Sequence, residues 1–194
     1  MLKSQDVFRV FEPYRRDAIV TTSGTAGRNW QEFSKAPARD VSLGSAMGQT
    51  TSAAFGLALG LPDEKIVLFD SEGALLMNLG VMASIAGKAP KNFVHFVLDN
   101  EVYATTGGQP VPNNKNIDYA GMAKSMGYSS TYHFDDLEEF ATNVQGIMND
   151  EGPVFVWIKI EAEIENMPVG MREARRSRSR PETIKDLRTE LGIS

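Results

Sequence analysis

The chain has 194 residues, 42% hydrophobic and 23% charged, with a net charge of −5. That length suits one domain with a complete core, and the composition argues against disorder, collagen-like repeats and coiled coil. Without cysteine there can be no disulfide, zinc–thiolate centre or thiol nucleophile, and two histidines, His95 and His133, are too few for a histidine-built metal cage.

In chain order, an amphipathic run predicts a helix over about Gln5–Arg15, followed by a strand over Asp17–Thr22 that ends in Ser23-Gly24-Thr25-Ala26-Gly27. A second short strand is expected at about Asp40–Leu43, leading into Gly44-Ser45-Ala46-Met47-Gly48. An Ala- and Leu-rich helix follows over Gln49–Gly60. Lys65–Asp70 reads as a buried strand by its β-branched content. Ser71-Glu72-Gly73 then opens a helix running to about Gly87, stopped before Pro90. Asn92–Leu98 is the next strand, with a loop from Glu101 to Asn116. The series closes with helix 117–126, strand 129–134, helix 135–149, strand Pro153–Ile160 and a last helix over Pro181–Leu191. Short apolar runs alternating with longer amphipathic ones predict an α/β fold, a single doubly wound domain with a mostly parallel sheet flanked by helices. The expected division is a body over 1–165 and a basic tail and helix over 166–194.

The first nine residues are charged where an export signal needs an apolar run, and no segment reaches the roughly 18 apolar residues of a spanning helix. A soluble, cytoplasmic protein with no membrane contact is expected. Residues 172–180 hold Arg172, Arg175, Arg176, Arg178 and Arg180 against Glu173. The body is acidic and no nucleic-acid motif accompanies the run, so the expected role is a solvated tail or a segment docking an acidic partner, with no nucleic acid bound.

Ligands of open parallel sheets bind beyond the carboxyl ends of the strands. Four such ends, at 23–27, 44–48, 70–74 and 99–109, carry polar or glycine-rich turns. Together they offer a carboxylate, a carboxamide and several helix N-termini, which suits a Mg²⁺-bound diphosphate.

At this point the residues resemble a known family. Asp70-Ser71-Glu72-Gly73 followed by Asn100 is similar to the thiamine-diphosphate motif, Gly-Asp-Gly and then Asn somewhat under thirty residues later. Leu75–Gly80, Leu98–Gln109 and Ser45–Thr51 resemble the cofactor-binding half of phosphonopyruvate and sulfopyruvate decarboxylases, and the resemblance covers about residues 17–165. It implies Glu72, Asn100 and the Val102 carbonyl as Mg²⁺ ligands, and Gly73, Ala74, Thr25 and Thr105 toward the diphosphate. It places Met47 between the two rings of the cofactor and the Ser45 carbonyl on its aminopyrimidine. One departure stands out: Ser71-Glu72-Gly73 replaces Gly-Asp-Gly. Glutamate is still a hard oxygen ligand, so retained binding with a shifted backbone, weaker affinity and a degenerate subunit all stay open.

The same resemblance implies a thiamine-diphosphate-dependent decarboxylase acting on a small anionic 2-oxo acid of the 3-sulfopyruvate or 3-phosphonopyruvate type, giving an aldehyde and CO₂. The glutamate that activates the cofactor belongs to the family's pyrimidine-binding domain, for which this chain has no room. A separate subunit is therefore expected to supply it, and no catalytic residue is assigned here. The alternative is a non-catalytic structural or regulatory subunit. A generic nucleotide-binding module is disfavoured, since neither Gly-x-Gly-x-x-Gly nor a Walker pattern occurs. Other residues read as ordinary structure: His95 as a satisfied core residue, His133 as locally bonded near Asp135 and Asp136, and Met77 and Met82 as core. Arg28 is either an anion contact or a surface residue, and Tyr103 and Thr106 are neighbours of the site.

Overall fold

The computed structural model describes residues 2–27, 29–43, 46–164, 171 and 178–193. Its elements are α1 (Ser4–Phe11), β1 (Ile19–Thr22), α2 (Trp30–Phe33), α3 (Thr50–Gly60), β2 (Ile66–Ser71), α4 (Glu72–Met77), α5 (Val81–Lys88) and β3 (Phe93–Asp99). Then come the two-residue strands β4 (Val102–Tyr103) and β5 (Gln109–Pro110), α6 (Tyr119–Met126), β6 (Ser130–Phe134), α7 (Leu137–Asn149), β7 (Val154–Lys159) and α8 (Arg180–Glu190).

Five strands form one sheet in the order β1-β2-β3-β7-β6, every neighbouring pair parallel. From β1 through β2 and β3 to β6 the chain advances in one direction, and its helices α3, α5 and α6 lie on one face. The return from β6 to β7, which slots between β3 and β6, puts α7 on the other face beside α1, as right-handed crossovers require. The expected doubly wound α/β architecture is therefore the observed one.

Strand alternation sorts the core into two layers. On the α1/α7 face an aromatic cluster dominates: Phe69 lies 5.1 Å from Phe8, 5.0 Å from Phe11, 5.8 Å from Trp30 and 4.9 Å from Phe96, ring centre to ring centre. The opposite face packs Ile66, Leu68, Val97 and Trp157 against Ala54, Ala58, Met82, Ile85 and Tyr119. Met82 is core as expected, whereas Met77 at the end of α4 is exposed.

Three boundaries differ from the sequence expectation. The opening helix ends at Phe11 and tightens into a 3₁₀ turn over Glu12–Tyr14, with Pro13 at its start. The Asp40–Leu43 strand shrinks to one bridge, Val20 to Asp40. The Asp40 carboxylate is spent instead on a buried cluster, accepting from Arg15 Nη1 and Trp30 Nε1, each at 3.0 Å. The long helix after Glu72 breaks at Asn78-Leu79-Gly80, because the Asn78 amide donates to the Gly48 carbonyl at 2.9 Å and to Ser52 Oγ at 3.0 Å. That side chain leaves the helix to fasten a neighbouring turn.

At the C-terminus α8 opens with a capping box from Ser179 and Glu182. It seats on the chain's own body: Leu187 is buried, Thr183 Oγ1 accepts from the Ser42 N–H, and Arg178 donates to the carbonyls of Pro37 and Asp40. Arg172, Arg175 and Arg176 lie outside the described residues.

Phe69 joins three elements through four rings, and its removal leaves a cavity no neighbour can fill. Phe69→Ala should lower the free energy of unfolding by about 3–5 kcal/mol, read from urea denaturation followed by circular dichroism.

Candidate cofactor and cation site

Parallel register brings the polar ends of β2 and β3 side by side. Ser71 pairs with Leu98, so the next residues, Glu72 and Asp99, are neighbours at the carboxyl edge. Asp70, Glu72 and Asp99 are at most 1% exposed. Two of these carboxylates are well supplied with donors. Asp70 Oδ2 accepts from Thr51 Oγ1 at 2.5 Å and its Oδ1 from the Ser71 N–H at 2.9 Å. Asp99 accepts from Trp157 Nε1 at 2.9 Å, Asn114 Nδ2 at 2.9 Å and the Glu101 N–H at 3.1 Å.

Glu72 is different. Its Oε2 receives a long hydrogen bond from the Asn100 N–H at 3.4 Å, and its Oε1 is buried without any hydrogen-bond partner. Burial, and next the charge of Asp99, push its carboxyl up from 4.5 to about 8, against the pull of backbone N–H groups at the start of α4. A buried carboxylate oxygen lacking a donor costs free energy that a cation would recover. Among the described residues no three His, Cys, Asp or Glu side chains gather in metal-binding fashion. A cation here would depend on one carboxylate plus neutral oxygens, which suits Mg²⁺.

The neutral oxygens are close in sequence and held by turns. Asn100 is 4% exposed, and its Oδ1 accepts from the Val102 N–H at 3.0 Å, leaving an amide-oxygen lone pair free. Between them Glu101 has φ +64°, a left-handed conformation rare for a side chain, which curls the chain back after β3. β4 and β5 then form a small antiparallel hairpin closed by Thr106, whose Oγ1 meets the Tyr103 carbonyl at 3.3 Å and Gln109 Oε1 at 3.0 Å.

The other strand-end turns converge on the same edge. The Tyr103 ring lies over the first turn of α4: a Cβ on Gly73 would stand 2.6 Å from its Cε1, so any larger residue there would displace that ring. Gly48, at φ +77°, backs against the Ala74 carbonyl and Met77, which sets the Met47 turn beside α4. The 3₁₀ turn Gly24–Gly27, with Thr25 in its backbone, follows β1 and packs against the turn carrying Ala104–Thr106. Thr105 is half-buried there. Ser71 caps α4, its Oγ accepting from the Ala74 N–H at 3.4 Å. The structure thus gathers Glu72, Gly73, Ala74, Asn100, Val102, Thr105, the Thr25 backbone and the Met47 turn; Ser45 and Arg28 lie outside the described residues.

Histidine plays a smaller part than the polar network. His95 is a core residue, 3.4 Å from Tyr128 Oη, but its Nε2 has no hydrogen bond and stands 3.5 Å from Asp70 Oδ2. His133 stacks on Trp157 at 3.9 Å; the expected local bond does not form, since Asp136 caps α7 instead. Residue types in order did not point to Asp99, Asn114, Trp157, Asn78 or Thr51. The one available signal was the Asp99-Asn100 pair at the end of a strand.

A doubly wound domain with an unsatisfied buried carboxylate, an amide oxygen and glycine turns at one sheet edge belongs to the open α/β class, whose ligands sit at the carboxyl ends of the strands. Residues 23–158 match the family described as thiamine pyrophosphate enzyme, C-terminal TPP binding domain, and the chain belongs to it. It is 32% identical over 153 residues to the sulfopyruvate decarboxylase subunit beta of Methanothermobacter thermautotrophicus, covering 79% of this chain and 78% of that one. It is also 32% identical over 143 residues to the phosphonopyruvate decarboxylase of Streptomyces hygroscopicus, where 74% of this chain matches only 35% of the relative's length. Among solved structures, the benzoylformate decarboxylase of Polynucleobacter necessarius superposes with a TM-score of 0.68 at 17% identity, over 83% of this chain and 33% of that one. The resemblance read from the motifs is therefore confirmed as to family, and the relatives are named decarboxylases.

The Glu72 shift has a definite sign. Between pH 4.5 and 8 the folded chain keeps a proton that the unfolded chain has released. In metal-free protein, the contribution of Glu72 to stability is therefore greatest at the acid end. It falls as pH rises through that window, by up to about 1.4 kcal/mol per pH unit. Glu72→Gln should flatten this slope when wild type and variant are compared by chemical denaturation across the window.

Proposed function

We propose that this chain is the cofactor-binding subunit of a two-subunit thiamine-diphosphate-dependent decarboxylase. Its substrate is a small anionic 2-oxo acid of the 3-sulfopyruvate or 3-phosphonopyruvate type, converted to an aldehyde and CO₂. The observation that carries this reading is the buried Glu72 carboxylate with an orphaned oxygen beside Asn100. In this reading Glu72, the Asn100 amide oxygen and the Val102 carbonyl hold Mg²⁺. Gly73, Ala74, Thr25 and Thr105 face the diphosphate, and Met47 and the Ser45 carbonyl meet the rings. Bound thiamine diphosphate supplies the electron sink for loss of CO₂. The protein's part is to orient it and to keep the diphosphate end out of water. Residues 1–165 are the cofactor domain, and 166–194 serve the partner interface.

The activating glutamate comes from a second, pyrimidine-binding subunit. Two observations support a partner. One relative of nearly the same extent is named a beta subunit, and another is a chain of which this one matches about a third. The other is the outer surface of α3 and α5. No charged residue occurs in 41–62 or in 73–87, although 23% of the chain is charged. The exposed positions there include Met47, Gln49, Ser52, Gly56, Leu59, Met77, Ala83 and Ser84, none of them charged. Charge depletion of this kind marks the centre of an interface, and α3 carries no charge on any side.

The purified chain alone should not decarboxylate sulfopyruvate or phosphonopyruvate, while its complex with the partner subunit should; turnover by the chain alone would overturn the two-subunit reading. In the complex, Glu72→Ala should abolish Mg²⁺-dependent thiamine diphosphate binding in calorimetry, and an unchanged isotherm would favour a structural subunit. Gly56→Glu places a charge where a side chain meets open space. It should leave the melting temperature of the isolated chain near wild type but weaken complex formation in size-exclusion chromatography.

A further inference from the structure

Beneath the cation site lies a buried polar network that the proposed chemistry does not use. Asp99 is 1% exposed and closes three hydrogen bonds: Oδ2 with Trp157 Nε1 on β7, and Oδ1 with both Asn114 Nδ2 and the Glu101 N–H. Asn114 is itself fixed, its Oδ1 accepting from Tyr119 Oη at 2.5 Å and its N–H reaching the Val111 carbonyl. Burial, and then the charges of Asp99 and Glu72, push the Tyr119 phenol well above its ordinary value, so it stays a hydrogen-bond donor. Tyr119 also packs edge-on against Trp157 at 5.5 Å, and that ring stands opposite Val97, on the face Asp99 shares.

We propose that Asp99 is a positioning residue for the cation: it sets the turn that presents Asn100 and Val102 and ties that turn to Trp157 and Asn114. The inference rests on the reading of Glu72, Asn100 and Val102 as Mg²⁺ ligands. Two consecutive turns of the same kind wind the chain here. Asp99 Oδ1 takes the Glu101 N–H and Asn100 Oδ1 takes the Val102 N–H, so each side chain closes on the backbone two residues later. Glu101 between them is held at φ +64°, where a residue with a side chain stays only if its surroundings require it. The carboxylate of Asp99 supplies part of that requirement, beside the Val111 N–H that donates to the Glu101 carbonyl at 2.9 Å. It accepts the Glu101 N–H with the same oxygen that is anchored by Asn114 from the far end of the loop. Without it, Glu101 relaxes to an extended conformation, and Asn100 and Val102 no longer aim at one point beside Glu72. Outer partners of this kind usually govern metal affinity about as strongly as tenfold or more. Asparagine cannot replace the carboxylate. If its oxygen keeps Glu101 and Asn114, its NH₂ faces the donor Nε1 of Trp157.

The test uses the two indole N–H signals of the ¹⁵N-labelled chain, from Trp30 and Trp157, during Mg²⁺ titration with thiamine diphosphate present. In wild type the Trp157 signal should move and that of Trp30 should stay. Asp99→Asn should weaken the apparent Mg²⁺ affinity about tenfold or more. Adding Glu101→Gly, which adopts the left-handed conformation unaided, should restore most of the loss; a purely structural Asp99 would gain nothing from that change. If Asp99→Asn does not fold, Asn114→Ala, which removes one of the three donors, should still weaken Mg²⁺ binding several-fold with the fold retained. Wild-type affinity in Asp99→Asn, or in Asn114→Ala where that variant is needed, would overturn the positioning role while leaving the cation reading intact, and so would a double variant no better than Asp99→Asn. A wild-type chain giving no Mg²⁺ response, or a Glu72→Gln chain binding as wild type does, would overturn the cation reading and this inference together.

Discussion

The carboxyl edge of the sheet is governed by one electrostatic constraint: three carboxylates, Asp70, Glu72 and Asp99, are buried at the ends of two adjacent parallel strands. Like charges brought together out of water repel and lose hydration, and each must be compensated locally. Asp70 and Asp99 are compensated by hydrogen-bond donors from elsewhere in the fold. Glu72 is compensated on one oxygen only, by the long bond from the Asn100 N–H, and its raised pKa is the mark of that imbalance. In the proposed reading, a divalent cation would resolve the conflict at the oxygen left without a donor.

Much of the surrounding architecture follows from that edge. The donors to Asp99 come from β7 and from the far end of the 100–114 loop, so the loop folds down over the start of α4. Gly73, without a side chain, passes beneath Tyr103 with the ring in place. Asn78 interrupts what would have been a single helix and fastens the Met47 turn to the end of α4. These contacts hold short irregular segments in place with side-chain hydrogen bonds, while the sheet and its two apolar layers provide the rigid base. Stability is thus concentrated in the layers, and chemistry in the turns at their rim.

The order of strands and helices was legible because it depends on local pattern. Runs such as Ile66–Ser71 and Phe93–Asp99 are apolar enough to be central strands, and the longer Ala- and Leu-rich runs joining such strands read as crossover helices. The turns were legible from Gly24, Gly48 and Gly73 and from the pairing of Glu72 with Asn100 at motif spacing. Breaks made by distant partners were not. Asn78 looks like an ordinary helix residue until Gly48 and Ser52 are beside it, and Asp40 looks like strand until Arg15 and Trp30 claim its carboxylate. His133 likewise takes its place from Trp157, 24 residues away, and not from the aspartates next to it.

Fold class, family and the oxygen-rich character of the site follow from periodicity, glycine placement and the spacing of Glu72 and Asn100, all of them properties of the chain read in order. Which buried groups are satisfied and which are left wanting depends on packing in three dimensions. Trp157, Asn114 and Thr51 stand 58, 15 and 19 residues from the carboxylates they serve. Their donors reach Asp99 and Asp70 and leave Glu72 Oε1 unpaired, a balance set by three-dimensional packing that no linear motif records.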